Sequence, residues 1–352
     1  MRWWAIWSGS AASVATWPLA GVAQTTPAPA TPSSQAVLVY PASFFAGSNP
    51  GTALDMIQRL PGFTLDVGDL DSRGLAGASG NVLIDGSRPS SKSDTVAEVL
   101  NRITAVSVER IELIRGSMPG IDMRGRAVVA NVILKRTPKT ELVAEGNAFI
   151  YDTGETGPSG KLSYTRRKGD RVTQASVFAT NDRGNTTSGT RTRTAPTGAP
   201  LQAAALATRD RYGSYDARGS VQRPLFGGKL QANVVLDYFR QRDTQTTTIL
   251  SGRGDDERVQ ERSAYPNGEM GFTWTRDHPH SSFELTGLQR LNRTTYRGVF
   301  DSAGRGSVFA SRATAGESVL RAIDTVRPGG PLTFAGGGEI AYNVLDSRST
   351  YT

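Results

Sequence analysis

The sequence predicts a small α+β domain followed by a long antiparallel β-structure of the membrane-barrel kind. Three observations carry this. Between Leu60 and Arg136, short Val-, Ile- and Leu-rich runs closed by Gly or charge alternate with two segments of helical spacing. From Glu141 onward the pattern changes to apolar and polar residues in strict alternation. The connections of that second region are short and long by turns.

In the first region Leu54, Ile57 and Leu60, and then Val96, Val99, Leu100 and Ile103, fall on one face of a helix. Asn81-Val82-Leu83-Ile84 runs into Asp85-Gly86, Val108 to Gly116 reads VERIELIRG, and Val129 to Arg136 reads VANVILKR. These are buried strands bounded by turns. Gly74, Gly77 and Gly80 do not match a dinucleotide-binding fingerprint and are read as permitting tight backbone. Asp66, Asp69 and Asp71 lack the order of a calcium loop and are read as turn caps.

In the second region Leu230, Ala232, Val234, Leu236 and Tyr238 share one parity, and Gln231, Asn233 and Asp237 the other. Met270, Phe272 and Trp274 alternate in the same way with Glu269, Gly271, Thr273 and Thr275. Alternation alone suits a soluble sandwich as well as a membrane barrel. Tight turns at 167–170, 223–228, 277–280 and 328–331 recur about every 50 to 56 residues. Longer polar connections are expected at 152–159, 181–208, 251–256 and 301–306. Short turns on one side and long loops on the other favour the barrel. This spacing gives about nine long strands, each well beyond the ~9–11 residues that cross a bilayer.

At the amino terminus Arg2, a Trp-rich apolar stretch to Leu19 and the small residues Gly21-Val22-Ala23 read as a secretory signal over 1–23. The formal charge of +8 falls by one with its removal. The arginines are scattered among Asp, Glu and Thr without a compact basic block, so a nucleic-acid partner is not expected. With no cysteine, disulfides and thiolate chemistry are excluded. The two histidines, His278 and His280, flank Pro279 in an expected hairpin turn, which suits neither a Ser-His-Asp triad nor an oriented metal site. No enzymatic activity and no cofactor is expected. Residues 24–49 begin with a Pro-, Thr- and Ala-rich run and are expected to form a flexible linker.

Leu60-Pro61-Gly62-Phe63, Ser72-Arg73-Gly74-Leu75, the run from Asn81 to Gly86, VERIELIRG and the closing VANVILKR stand in the order of the motifs of TonB-dependent outer-membrane receptors. The chain resembles that family, with 50–138 as its plug domain and 139–352 as part of a barrel that in the family has roughly 22 strands. The resemblance implies a receptor in the outer membrane of a Gram-negative bacterium, in contact with its lipid. It implies that the TonB complex of the inner membrane is a partner and a scarce extracellular solute the cargo, probed at the plug loops Gly68, Asp69 and Leu70, Gly77 and Ala78, and Arg88 and Ser90. It implies that Arg73 and Arg115 latch the plug to the barrel. Val37, Leu38, Val39 and Tyr40 match either the TonB box, which would add to the partner as a strand, or the first edge strand of the plug. The short gap between Gly74 and Asn81 leaves little room for the long loop of many siderophore receptors. A barrel with an odd strand count, closed by no terminal aromatic, implies a truncated chain. Other readings are a ligand-binding or signalling module without transport, and a secreted β-rich adhesin.

Overall fold

The computed structural model describes residues 37–68, 80–88, 91–116, 123, 126–184, 186–329 and 332–352. The signal stretch and the Pro-rich run lie outside them.

The small domain starts inside the expected linker. Strand β1 (Val37–Pro41) pairs antiparallel with β3 (Val108–Arg115), and the following 3-10 turn Ala42–Ser48 buries Phe45. Residues ahead of the boundary expected near 50 thus already contribute to this sheet and its core. Helix α1 (Ala53–Gln58) opens on a reciprocal capping box between Thr52 and Asp55, and α2 (Val96–Asn101) on one between Thr95 and Glu98. Strand β2 (Val82–Ile84) runs parallel to β4 (Val128–Leu134), giving the sheet order β1-β3-β4-β2. The central strand β4 is buried along nearly its whole length, as a strand covered on both faces requires. Met56, Ile57, Leu100, Ile111, Leu113 and Val132 form the centre of one apolar core.

The second region forms a ten-stranded antiparallel sheet, the wall. Its strands are β5 (Lys139–Ile150), β6 (Thr156–Lys168), β7 (Arg171–Asp182), β8 (Thr186–Thr194), β9 (Pro200–Leu225), β10 (Gly228–Gly252), β11 (Glu257–His278), β12 (Ser281–Ser302), β13 (Arg305–Val326) and β14 (Phe334–Tyr351). The order is β14-β13-β12-β11-β10-β9-β7-β6-β5, with β8 on β9, so the described sheet is open at β5 and β14. Strands β7 and β8 lie end to end along β9, with Asp182 opposite Tyr212 and Thr186 opposite Arg209. They share one position, so ten strands fill nine places. The loop expected over 181–208 is instead an irregularity after Asp182 and a hairpin between β8 and β9. The tight turns expected at 167–170, 223–228 and 277–280 lie between strands, at 169–170, 226–227 and 279–280, and part of 328–331 lies outside the described residues. The longer loops expected at 152–159, 251–256 and 301–306 shorten to 151–155, 253–256 and 303–304 because the strands run further.

Cross-strand register puts Leu236, Met270, Leu291, Leu320 and Ile340 on one face, exposed by 50 to 75%. The opposite face carries the buried polar residues Glu269, Thr273 and Thr286. A soluble sandwich buries the apolar face and wets the polar one. This sheet does the reverse, as a wall between lipid and a filled lumen requires. Aromatic pairs bound the outer band: Trp274 with Phe283 near the tight turns, and Tyr215 stacked on Tyr238 above. From Leu230, opposite Trp274, to Tyr238, β10 climbs about 26 Å at ~3.3 Å per residue. A tilt of about 40° reduces that to about 20 Å, close to the ~25 Å apolar belt of outer-membrane barrels.

Candidate functional site

The small domain meets the inner face of the wall through the segment between β2 and α2. Ile84 and Ser87 close a two-residue turn in which Asp85 and Gly86 both have positive φ, 47° and 78°. That geometry is the hairpin type that an Asp-Gly pair favours. Asn131 fixes it by accepting from the Gly86 N–H at 2.9 Å, and Asp85 Oδ1 accepts from the Leu134 N–H at 2.9 Å. The turn presents its remaining acceptors to the wall. Lys229 Nζ donates to the Asp85 carbonyl at 3.1 Å, and Arg167 Nη1 lies 3.4 Å from Asp85 Oδ2.

Further along, Ser91 to Asp94 carry the main latch. The Glu269 carboxylate of β11 accepts from the Ser91 hydroxyl, from the Lys92 N–H at 2.9 Å and from the Ser93 N–H at 2.9 Å. Lys92 Nζ reaches Glu317 of β13 at 2.8 Å. Both members are desolvated, with side chains 1% and 12% exposed. Asp94 holds Arg102 of its own domain and lies 3.7 Å from Arg218 of β9, whose guanidinium is 3.0 Å from Glu98 and 3.4 Å from Asp237. Glu98 thus caps α2 and grips the wall. Beside these contacts lies a cavity of about 100 Å³, lined by Asp85, Asp94 and Arg102 on one side and Gln174, Gln222 and Asn233 on the other. It is large enough for ordered water.

The expected site residues fall differently. Asp69, Leu70, Arg73, Gly77, Ala78 and Ser90 lie outside the described residues. Gly68 is reached through an Asx-type contact, its N–H donating to Asp66 Oδ1 at 2.8 Å. Arg88 donates from Nε to the Gly80 carbonyl at 3.3 Å, within the small domain. At Gly80 a Cβ would sit 2.4 Å from the Asp66 carbonyl oxygen, so the close backbone approach requires glycine. Arg115, expected as a latch, is exposed with its guanidinium against Gly62, and the contacts to the described strands of the wall are made by Asp85, Ser91, Lys92, Ser93, Asp94 and Glu98. Val37 to Tyr40 lie in β1, at the edge of the small sheet. The sequence signal for the missed latch was the carboxylates Glu269 and Glu317 on the inward parity of their strands.

Residues 29–125 match the family model of the TonB-dependent receptor plug domain. A comparison with curated proteins finds no match. Among solved structures, the ferripyoverdine receptor FpvA of Pseudomonas aeruginosa in complex with a heterologous pyoverdine aligns at 10% identity, covering 91% of this chain and 53% of that one, with a TM-score of 0.29. The siderophore receptor PiuA of Acinetobacter baumannii aligns at 11% identity over 90% and 62%, with a TM-score of 0.24. The ferric yersiniabactin uptake receptor FyuA of Yersinia pestis aligns at 11% identity over 90% and 62%, with a TM-score of 0.27. The chain spans 53 to 62% of the length of these three structures.

Proposed function

Because the chain carries the plug domain of a TonB-dependent receptor ahead of an antiparallel sheet of receptor-barrel type, we propose that it acts in the outer membrane as a gated receptor for a scarce extracellular solute, opened by the TonB complex. The observation that carries this reading is the chemistry of the interface between plug and wall. Its hydrogen bonds and ion pairs join carboxylates, ammonium and guanidinium groups and backbone N–H donors beside a cavity of about 100 Å³, whose lining also includes the apolar Val99, Ile103, Leu134 and Val172. Water can take over such contacts one at a time as the plug shifts, whereas an apolar interface would have to be exposed as a whole. The solute is met by the plug loops around Gly68 and Asp69 to Leu70, Gly77 to Ala78, and Arg88 to Ser90. The strand Val37 to Tyr40, at the sheet edge among the described residues, is the segment offered to the TonB complex, because an edge strand can pair with another chain through its main chain.

The chain has no cysteine, so introduced pairs are unambiguous. Cysteines at Lys92 and Glu317, joined by a short bismaleimide, should abolish uptake that a protonophore also abolishes, and leave outer-membrane recovery unchanged. Uptake that survives the cross-link would remove plug movement from the mechanism. Solute binding without any protonophore-sensitive uptake would instead establish a receptor that does not transport.

A further inference from the structure

On the outer face of the wall, Arg211 stands directly opposite Arg242, Arg242 opposite Arg262, and Arg262 opposite Arg297. Four arginines thus form one row across β9 to β12, all exposed and on the same parity as Tyr215, Leu236, Met270 and Leu291. Like charges directly opposite on a sheet repel. Three of the four have an acidic sequence neighbour, Asp210, Asp243 and Glu261, and the pleat turns each of these to the inner face. Among the described residues none of the four arginines forms an ion pair, whereas adjacent Arg209 has Glu155 at 2.7 Å. At this level of strands β9 to β11 the arginines face outward and their acidic neighbours inward.

The height of the row is equally specific. Arg242 lies four residues past Tyr238, about 10 Å further along the membrane normal on a tilted strand. Between them Arg240 lies over the Tyr215 ring, 5.6 Å from its centroid, and donates to the Tyr215 hydroxyl at 3.1 Å. Arg242 therefore sits just beyond the upper aromatic belt, where headgroups begin, and the row crosses that level obliquely by about 3 Å per strand. A groove of about 380 Å³, lined by Arg209, Arg211, Arg242, Thr244 and Arg258, opens at its end.

We propose that this row is a binding surface for the phosphate groups of outer-leaflet lipids. Guanidinium groups match phosphate bidentately, and phosphates lying between them would neutralise the repulsion that the register builds in. The proposal rests on the membrane placement of the wall. A chain that failed to enter bilayers of any composition would defeat that placement, whereas the test below addresses the row alone.

The full chain, purified in a neutral detergent, is titrated with a bisphosphorylated glycolipid and with a phosphocholine lipid of the same acyl length, and bound lipid is counted by native mass spectrometry. The glycolipid should bind in preference. Substituting Arg211→Gln, Arg242→Gln, Arg262→Gln and Arg297→Gln together should weaken it by about tenfold or more, on the scale of several surface cations, and leave phosphocholine binding unchanged. The pair Arg242→Gln and Arg262→Gln gives the intermediate loss if the fourfold variant does not fold. Equal binding of both lipids by the unaltered protein, undiminished glycolipid binding by a folded variant, or full displacement by inorganic phosphate at matched phosphate concentration would each overturn the proposal.

Discussion

Lys92 Nζ lies 2.8 Å from both carboxylate oxygens of Glu317, joining the plug to the wall across 225 residues of sequence. The Lys92 side chain is almost fully enclosed. Removing only Glu317 leaves a buried ammonium short of its main counter-charge, which in comparable sites costs about 3–5 kcal/mol. Glu317→Ala should therefore loosen the plug, read as faster limited proteolysis in the small domain. The double replacement Lys92→Met with Glu317→Leu should recover most of the resistance, since an apolar pair of similar volume carries no desolvation cost. Equal sensitivity of the single and double variants would show that the pair does not hold the plug.

Glu269 acts by another route. Its carboxylate receives two consecutive backbone N–H groups and a hydroxyl, so it fixes the path of the segment ahead of α2. Hydrogen bonds to a charged acceptor contribute about 1.5–3 kcal/mol each. In Glu269→Ala, amide exchange at Lys92 and Ser93 should accelerate by about tenfold or more, while Leu113 and Val132 in the plug core keep their protection. Acceleration spread evenly through the core would mean that the carboxylate supports the fold and not the docking.

The order of domains, the strand alternation and the tight turns were legible because each depends on local chemistry: an Asp-Gly pair makes its turn, and Leu236 and Asp237 take opposite faces, wherever the strand goes. What escaped depends on register between distant strands. Arg211, Arg242, Arg262 and Arg297 look scattered along the chain and become one row only when four strands are aligned. Lys92, in a Ser-rich polar run, reads as a solvated loop until Glu317 is placed beside it. Strand β8 reads as a loop because Thr186 to Thr194 has no apolar face: eight of its nine residues are exposed. Val37 to Tyr40 matched either a partner-binding segment or an edge strand, because a short apolar run has no side-chain signal for the strand it pairs with; only register places it on β3.

Acid should act on the plug through its first helix cap. Asp55 accepts from the Thr52 N–H, and with smaller help from the Thr52 hydroxyl and the Gly51 N–H this holds its carboxyl below the ordinary value of 3.8. A carboxyl with a depressed folded-state pKa contributes stability above its unfolded pKa, and that contribution disappears as pH falls through the folded value. The plug should therefore lose stability below about pH 4, and Asp55→Asn should flatten this limb of the profile. Thr52→Ala, which removes the reciprocal cap, should cost about 1 kcal/mol at neutral pH. Both are read from urea unfolding of the plug followed at several pH values; an unchanged acid limb in Asp55→Asn would assign the effect to other carboxylates.

The sidedness of the wall makes the sharpest contrast between neighbouring positions on one strand. Val177 of β7 is 53% exposed on the outer parity, and Thr180 faces inward, its hydroxyl donating to the Pro158 carbonyl at 3.1 Å. If lipid covers the outer face, Val177→Lys places an ammonium in hydrocarbon a little below the upper aromatic level, at a cost between the ~0–1 kcal/mol of an interface and the ~2–4 kcal/mol of the midplane. Thr180→Lys leaves its ammonium in the watery lumen and should cost less than about 1 kcal/mol, the loss of one hydrogen bond. Urea unfolding of the chain in phospholipid bilayers separates the two. In a sandwich-like sheet with water on the Val177 face the ranking would invert, because lysine would then be wet at 177 and enclosed at 180.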